Sequence, residues 1–236
     1  MSIAENVAAL RRQREEAALA AGRDPKEILL CAATKMNDAD AVRQAIAAGV
    51  DCCGENRVQE LTRKLSENAY EGAPVHFIGH LQTNKVKQVV GKVDLIQSVD
   101  RLTLMECIQA EAARQGIIQD ILLEINIGEE ASKSGFALED IPALAENMAE
   151  FPNVRLRGLM AIPPVCENPG DNDKFFQKIC NMAVDIRAKK YDNVMVKCMS
   201  MGMSDDFTDA IHCGSTMIRV GTAIFGQRNY DKVHHP

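Results

Sequence analysis

Tryptophan is absent from the 236-residue chain, and aromatic residues make up only 4% of it. A core without large rings must be assembled from Ala, Val, Ile, Leu and Met, which suits short aliphatic strands packed against small-faced helices. A basic surplus is missing too: 27 Lys and Arg face 33 Asp and Glu, for a formal net charge of -6. Neutralising a phosphate backbone needs a basic surface, so this balance argues against nonspecific nucleic-acid binding. Arg11, Arg12 and Arg14 run straight into Glu15 and Glu16 and read as a solvated helix face. No apolar stretch approaches the ~18 residues of a membrane span, and Met1–Leu10 lacks the basic-then-apolar order of a signal peptide. A cytoplasmic protein is expected.

Metal and disulfide patterns are also lacking. The eight cysteines (Cys31, Cys52, Cys53, Cys107, Cys166, Cys180, Cys198 and Cys213) contain no C-x-x-C pair, and several lie in apolar runs. Buried free thiols in a reducing compartment are the expected reading. His76 and His80 are four apart, but Pro74 and Gly79 flank an extended apolar run rather than a helix, so zinc ligation is not expected there. The chain carries no G-x-G-x-x-G, no P-loop and no G-x-S-x-G. Gly202–Asp206 resembles a nucleophile elbow only superficially, and Met199, Met201 and Met203 read as packing.

What is present is alternation. An amphipathic helix over Ile3–Ala21, ended by Gly22 and Pro25, precedes eight short apolar runs. The runs are Ile28–Thr34, Val50–Gly54, Val75–Gly79, Val93–Ser98, Asp120–Ile127, Val154–Ile162, Val194–Ser200 and Met217–Gly221. Helical patterns fall between them, near 38–48, 55–67, 83–90, 100–115, 139–150, 171–190 and 204–213. Such alternation predicts βαβ units and a parallel sheet. Eight evenly spaced units favour closure into a single (β/α)8 TIM-type barrel with an additional N-terminal helix, over a doubly wound open sheet. No repeat or linker divides residues 1–236, so one domain is expected, with about 230–236 disordered.

Chemistry in such a barrel sits where strands end and βα loops begin. Strand one ends in Ala33–Thr34–Lys35, and period-2 alternation puts Leu29, Cys31, Ala33 and Lys35 on one face. A lysine held in the barrel mouth would lose hydration and gain nucleophilicity; the alternative is a solvated strand-end residue. The loops after strands seven and eight are the recurrent phosphate cradle of the fold. There Gly202 and Gly221 let backbone approach an anion, while Ser200 and Thr222 offer hydroxyls. Asp205 and Asp206 read as helix caps. Arg219 shares the inward face with Met217 and Gly221, and a buried guanidinium needs an acceptor. A pyridine nitrogen and a structural ion pair with Glu124 are equally open on spacing alone. An amine, an anion cradle and a ring-nitrogen partner converge on pyridoxal 5′-phosphate (PLP).

These residues belong to a set of segments running over nearly the whole chain: Ala32–Lys35 (AATK), Gly54–Glu60 (GENRVQE), His76–Lys85 (HFIGHLQTNK), Ser98–Arg101 (SVDR), Glu124–Asn126 with Ser132–Gly135, Arg157–Pro163 (RGLMAIP), Met201–Asp206 (MGMSDD) and Gly214–Gly226 (GSTMIRVGTAIFG). In them the sequence resembles the pyridoxal phosphate homeostasis protein family (YggS/PROSC type). The resemblance implies a fold-type III PLP barrel like the N-terminal domain of alanine racemase, holding its vitamin B6 cofactor as a Schiff base on Lys35. It further implies Arg219 at the pyridine nitrogen, Ser200, Met201, Gly202, Gly221 and Thr222 around the phosphate, and Asn56 near the cofactor. Arg57 stands where many relatives carry Tyr, and His80, Gln82 and Asn84 are expected to border the mouth.

The same resemblance bears on catalysis. Alanine racemases add a second domain carrying a catalytic tyrosine, for which a chain ending at Pro236 leaves no room. Tyr70 and Tyr191 are expected away from the mouth, while Tyr230 follows strand eight. A monomeric PLP carrier without dedicated turnover is therefore expected, exchanging PLP with PLP-dependent enzymes and free amino acids. A PLP-dependent amino-acid racemase is the alternative, and a phosphosugar-binding barrel without PLP the weaker third reading.

Overall fold

The aliphatic runs become eight parallel strands whose first and last members pair, closing the sheet in the order β1-β2-β3-β4-β5-β6-β7-β8. The computed structural model describes residues 1–130, 133–165 and 168–226. The strands are β1 (Leu29–Ala33), β2 (Cys52–Glu55), β3 (Val75–Phe77), β4 (Leu95–Val99), β5 (Gln119–Ile125), β6 (Val154–Ala161), β7 (Val194–Ser200) and β8 (Met217–Val220). Closure settles the choice against an open sheet, and it has a physical reason: a closed parallel sheet leaves no edge. The expected disorder at about 230–236 lies outside the described residues.

Alternation along β1 and β8 sorts side chains as the sequence predicts. Leu30, Ala32, Ile218 and Val220 join the layer between sheet and helices, whereas Cys31, Cys52 and Met217 form a separate cluster inside the barrel. The outer helices are α1 (Ile3–Ala20), α2 (Ala39–Ala47), α3 (Val58–Ser66), α4 (Leu102–Gln115), α5 (Ile141–Glu146), α6 (Asp173–Lys189), α7 (Phe207–His212) and α8 (Thr222–Phe225).

Five local expectations change. The helical pattern near 83–90 is a 3₁₀ segment over Thr83–Gln88, and the one near 139–150 is a six-residue helix flanked by two 3₁₀ turns. A short α8 follows β8, and α1 packs on it through Asn6 Nδ2, which donates to the Ile224 carbonyl at 2.9 Å. Arg14, read as solvated, turns inward instead. It pairs with Asp51 at 2.6 Å and donates to the Ile28 carbonyl at 3.0 Å, tying α1 to the start of β1. Asp206 is not a side-chain cap for α7. Its carboxylate accepts from the Met203 N–H at 2.7 Å and the Asn172 amide at 3.0 Å, bracing the loop after β7.

Candidate functional site

The C-terminal rim of the barrel brings the ends of β1, β2 and β8 together. Ala33 pairs with Gly54 of β2 and Ala32 with Val220 of β8, so Lys35 sits between the Glu55–Asn56 turn and Gly221. Lys35 is half-buried. Its loop is held from behind by a buried network that the sequence reading did not single out. Lys64 and Glu55, both with fully buried side chains, pair at 2.6 Å. Lys64 Nζ also donates to the Thr34 carbonyl at 2.7 Å, and Thr34 Oγ1 donates to Glu55 at 3.1 Å. Tyr70 donates to the same carboxylate at 3.3 Å, and its phenol is pushed up by burial and by the Glu55 charge. Met36 adopts a left-handed backbone (φ 63°), and its N–H reaches Glu60 at 2.7 Å. A non-glycine residue there needs such external support. The backbone on both sides of Lys35 is thus fixed by residues of β2 and α3. A hint lay in the GENRVQE segment, where five polar residues surround one helix start, but nothing in spacing showed Lys64 folding back under it.

Arg219 is buried on the inner wall, as expected from alternation. Its guanidinium donates to the Ser200 carbonyl at 2.6 Å and the Ala161 carbonyl at 2.9 Å, and also bonds the Ser200 hydroxyl. Among the described residues no ion pair joins it to Glu124, so backbone oxygens answer the need for an acceptor. Burial lowers its pKa. Ser200 passes its own proton to Gln97 at 2.6 Å, so its hydroxyl braces Arg219 rather than standing open at the rim.

Gly202 has φ 94°, and a Cβ there would meet the Ala210 Cβ at 2.7 Å; only glycine fits. Its carbonyl accepts from the Arg219 N–H at 3.0 Å, linking the two candidate cradle loops. Met201 is buried beneath them, its N–H bonded to the Met217 carbonyl at 3.1 Å. Gly221 packs on Ala33 and Thr222 is exposed at the start of α8, where the first N–H groups of a helical turn have no partner within the turn.

A cavity of about 240 Å³ opens beside this rim, lined by Asn56, Ile78, His80, Glu124, Asn126 and Ser134 among others. Lys35, Arg219 and Gly221 do not form its wall, whereas Asn56 does. Asn56 Oδ1 is buried and has no hydrogen-bond partner among the described residues, the kind of polar atom that marks a place for a ligand's donor. Gly79 is required here: a Cβ would lie 2.1 Å from the Asn56 carbonyl oxygen. Glu124 is pushed up to about 7, first by burial and then by repulsion from Asp100, with Arg219 opposing. His80 bonds Asp100 at 3.0 Å. Gln82 and Asn84 are exposed and stand outside this lining, as does Arg57, whose side chain pairs with Glu60 at 3.7 Å.

Sequence reasoning also missed what lies below. Inside the barrel Cys31 is held down to about 6, chiefly by hydrogen bonding with Cys52 and then with His76, against the opposing effect of burial. These three residues come from three strands with no motif to connect them.

Comparisons with known proteins agree with this architecture. The family model for the alanine racemase N-terminal domain matches residues 3–229. A pyridoxal phosphate homeostasis protein of Aquifex aeolicus is 40% identical over 230 residues, spanning 98% of this chain and 100% of its own. One from Pseudomonas aeruginosa is 41% identical, spanning 97% of each. The structure of PipY from Synechococcus elongatus with PLP bound superposes with a TM-score of 0.82 at 31% identity, covering 95% of this chain and 100% of that one. Alanine racemase from Streptomyces coelicolor matches with a TM-score of 0.70 at 17% identity, over 95% of this chain and 59% of that one, a likeness of fold. The chain belongs to the pyridoxal phosphate homeostasis protein family, within the wider group built on the alanine racemase N-terminal domain.

Proposed function

We propose that this chain binds PLP as a Schiff base on Lys35 and serves intracellular PLP homeostasis without a dedicated turnover of its own. The observation that carries the reading is the placement of Lys35 between the buried Glu55–Lys64 pair and the β8 turn of Arg219 and Gly221. Lys35 supplies the amine, Arg219 faces the ring nitrogen with Ser200 holding it, and Met201, Gly202, Gly221 and Thr222 cradle the phosphate. Asn56 contributes the unpartnered acceptor beside them. PLP brings an aldehyde that condenses with amines, and the relatives' name and the PLP-bound PipY structure support that ligand.

Two observations favour holding over turnover. Beside a guanidinium that keeps its proton, a ring nitrogen stays largely unprotonated, because two positive charges would repel, so Arg219 suits a weak electron sink. Among the described residues neither tyrosine reaches the rim: Tyr70 is buried behind Glu55, and Tyr191 follows the end of α6. Tyr230 lies outside the described residues. Free amino acids and PLP-dependent enzymes are the proposed recipients, and a cytoplasmic monomer the proposed state; no described helix is long and apolar enough to cross a membrane. Reconstituted protein should show the visible absorbance of the Schiff base, and Lys35→Ala should lose it while folding normally. A colourless wild type that cannot be reconstituted overturns the proposal. Lys35-dependent exchange of substrate α-deuterium at useful rates would overturn the non-catalytic part alone.

A further inference from the structure

We propose that Cys31, Cys52 and His76 form a binding site for a thiophilic d10 cation, Cu(I) or Zn(II), in the floor of the barrel. The site is independent of the reading at Lys35. The three side chains project inward from β1, β2 and β3, with Cys31 and Cys52 register partners and His76 opposite Gly54. All are buried, and one ligand atom from each lies within 4.8 Å of the other two. A point central to such a triangle lies within about 2.8 Å of every donor, roughly half an ångström beyond ordinary Zn–S bonds, so small side-chain rotations suffice.

The surroundings suit a soft ion. Met217 and Cys198 pack on the two cysteines, making the layer rich in sulfur, and soft thiolate and thioether ligands select Cu(I) and Zn(II). The Gln97 amide sits 2.9 Å from His76 Nδ1 and 3.1 Å from Met217 Sδ, and is itself fixed by Ser200. With Nδ1 engaged, Nε2 is left for a ligand, the arrangement by which an outer residue orients a coordinating imidazole. A half-turn of that amide, with Ser200 Oγ then accepting from Nε2 in place of its present bond to the amide oxygen, lets that oxygen accept from Nδ1–H, the tautomer a metal on Nε2 requires. Arg219 lies close enough to act on Cys31, and its charge would offset the net negative charge of a Cu(I) bis-thiolate. An entry path exists as well: His76, Leu29, Leu95, Cys198 and Met217 line a basin of about 770 Å³ at the N-terminal end of the strands.

The test is an anaerobic titration of the reduced full chain with Cu(I), and separately with Zn(II), each against a chromophoric chelator. One equivalent of at least one ion should bind, with X-ray absorption showing two sulfurs and one nitrogen. Gln97→Leu should weaken binding about 10–100-fold, and Cys31→Ser or Cys52→Ser by more. A triple variant, Cys107→Ser, Cys180→Ser and Cys213→Ser, should keep its equivalent. On wild type alone, the two-sulfur, one-nitrogen X-ray absorption signature is a readout that needs no variant to fold. Failure of both ions to bind, a first shell without two sulfurs and a nitrogen, or binding that Cys31→Ser and Cys52→Ser leave unchanged, overturns the site.

Discussion

The two ends of this barrel are built differently. At the N-terminal end lies the roomier hollow, about 770 Å³ against about 240 Å³ at the rim, yet its charged groups answer one another at the surface. Arg155 and Arg157 both pair with Asp120, at 2.6 and 3.4 Å, with side chains partly in water. At the C-terminal rim the Lys64–Glu55 pair is fully buried, its remaining capacity goes to backbone groups and to the Thr34 and Tyr70 hydroxyls, and one acceptor, Asn56 Oδ1, is left without a partner among the described residues. Size therefore does not single out the candidate site. Desolvated polar groups arranged around a strand end do, as the strand ends of this fold generally do.

The largest effect should come from breaking the rim's buried pair. Lys64→Met leaves the buried Glu55 carboxylate without its cation and should destabilise the fold by about 3–5 kcal/mol in chemical denaturation. A cost below about 1 kcal/mol would show that the pair is not desolvated as described. The next effect concerns pH. The Glu124 carboxyl is pushed up to about 7 in the folded chain from an ordinary 4.5, so the native state binds the extra proton between those values. Stability should fall as pH rises through that window, by up to about 3 kcal/mol, and Glu124→Gln should flatten the profile. A profile unchanged by the substitution would contradict the assigned burial. The smallest effect should be at the other end: Asp120→Asn removes a partly solvated pair and should cost about 1 kcal/mol or less. Equal costs for Lys64→Met and Asp120→Asn would erase the contrast between the two ends.

Much of this was legible in the sequence. Eight aliphatic runs spaced by helical patterns carry closure with them, because parallel strands need crossovers and a closed set leaves no edge. Period-2 alternation placed Cys31, Arg219 and Met217 inward, and they are there. Element ends were less legible: the run ending at Gly54 continues through Glu55, since Glu55 is buried by Lys64, a residue nine positions away whose folding back no local pattern reveals. Ser200 read as a phosphate donor because its hydroxyl ends a strand; the structure directs that proton to Gln97, 103 positions earlier. The Cys31–Cys52–His76 cluster escaped for the same reason: its members meet only after three strands are laid side by side, so no C-x-x-C spacing announces it. Local periodicity encodes faces. Long-range partners appear only on folding.

The central claim is that Lys35 at the rim anchors PLP. Borohydride trapping of the PLP-loaded chain, followed by peptide mass mapping, tests cofactor and attachment site together. A stable pyridoxyl-phosphate adduct is expected on the peptide containing Lys35, and none in Lys35→Ala. An adduct confined to other lysines, or a mass unchanged by reduction, would contradict it.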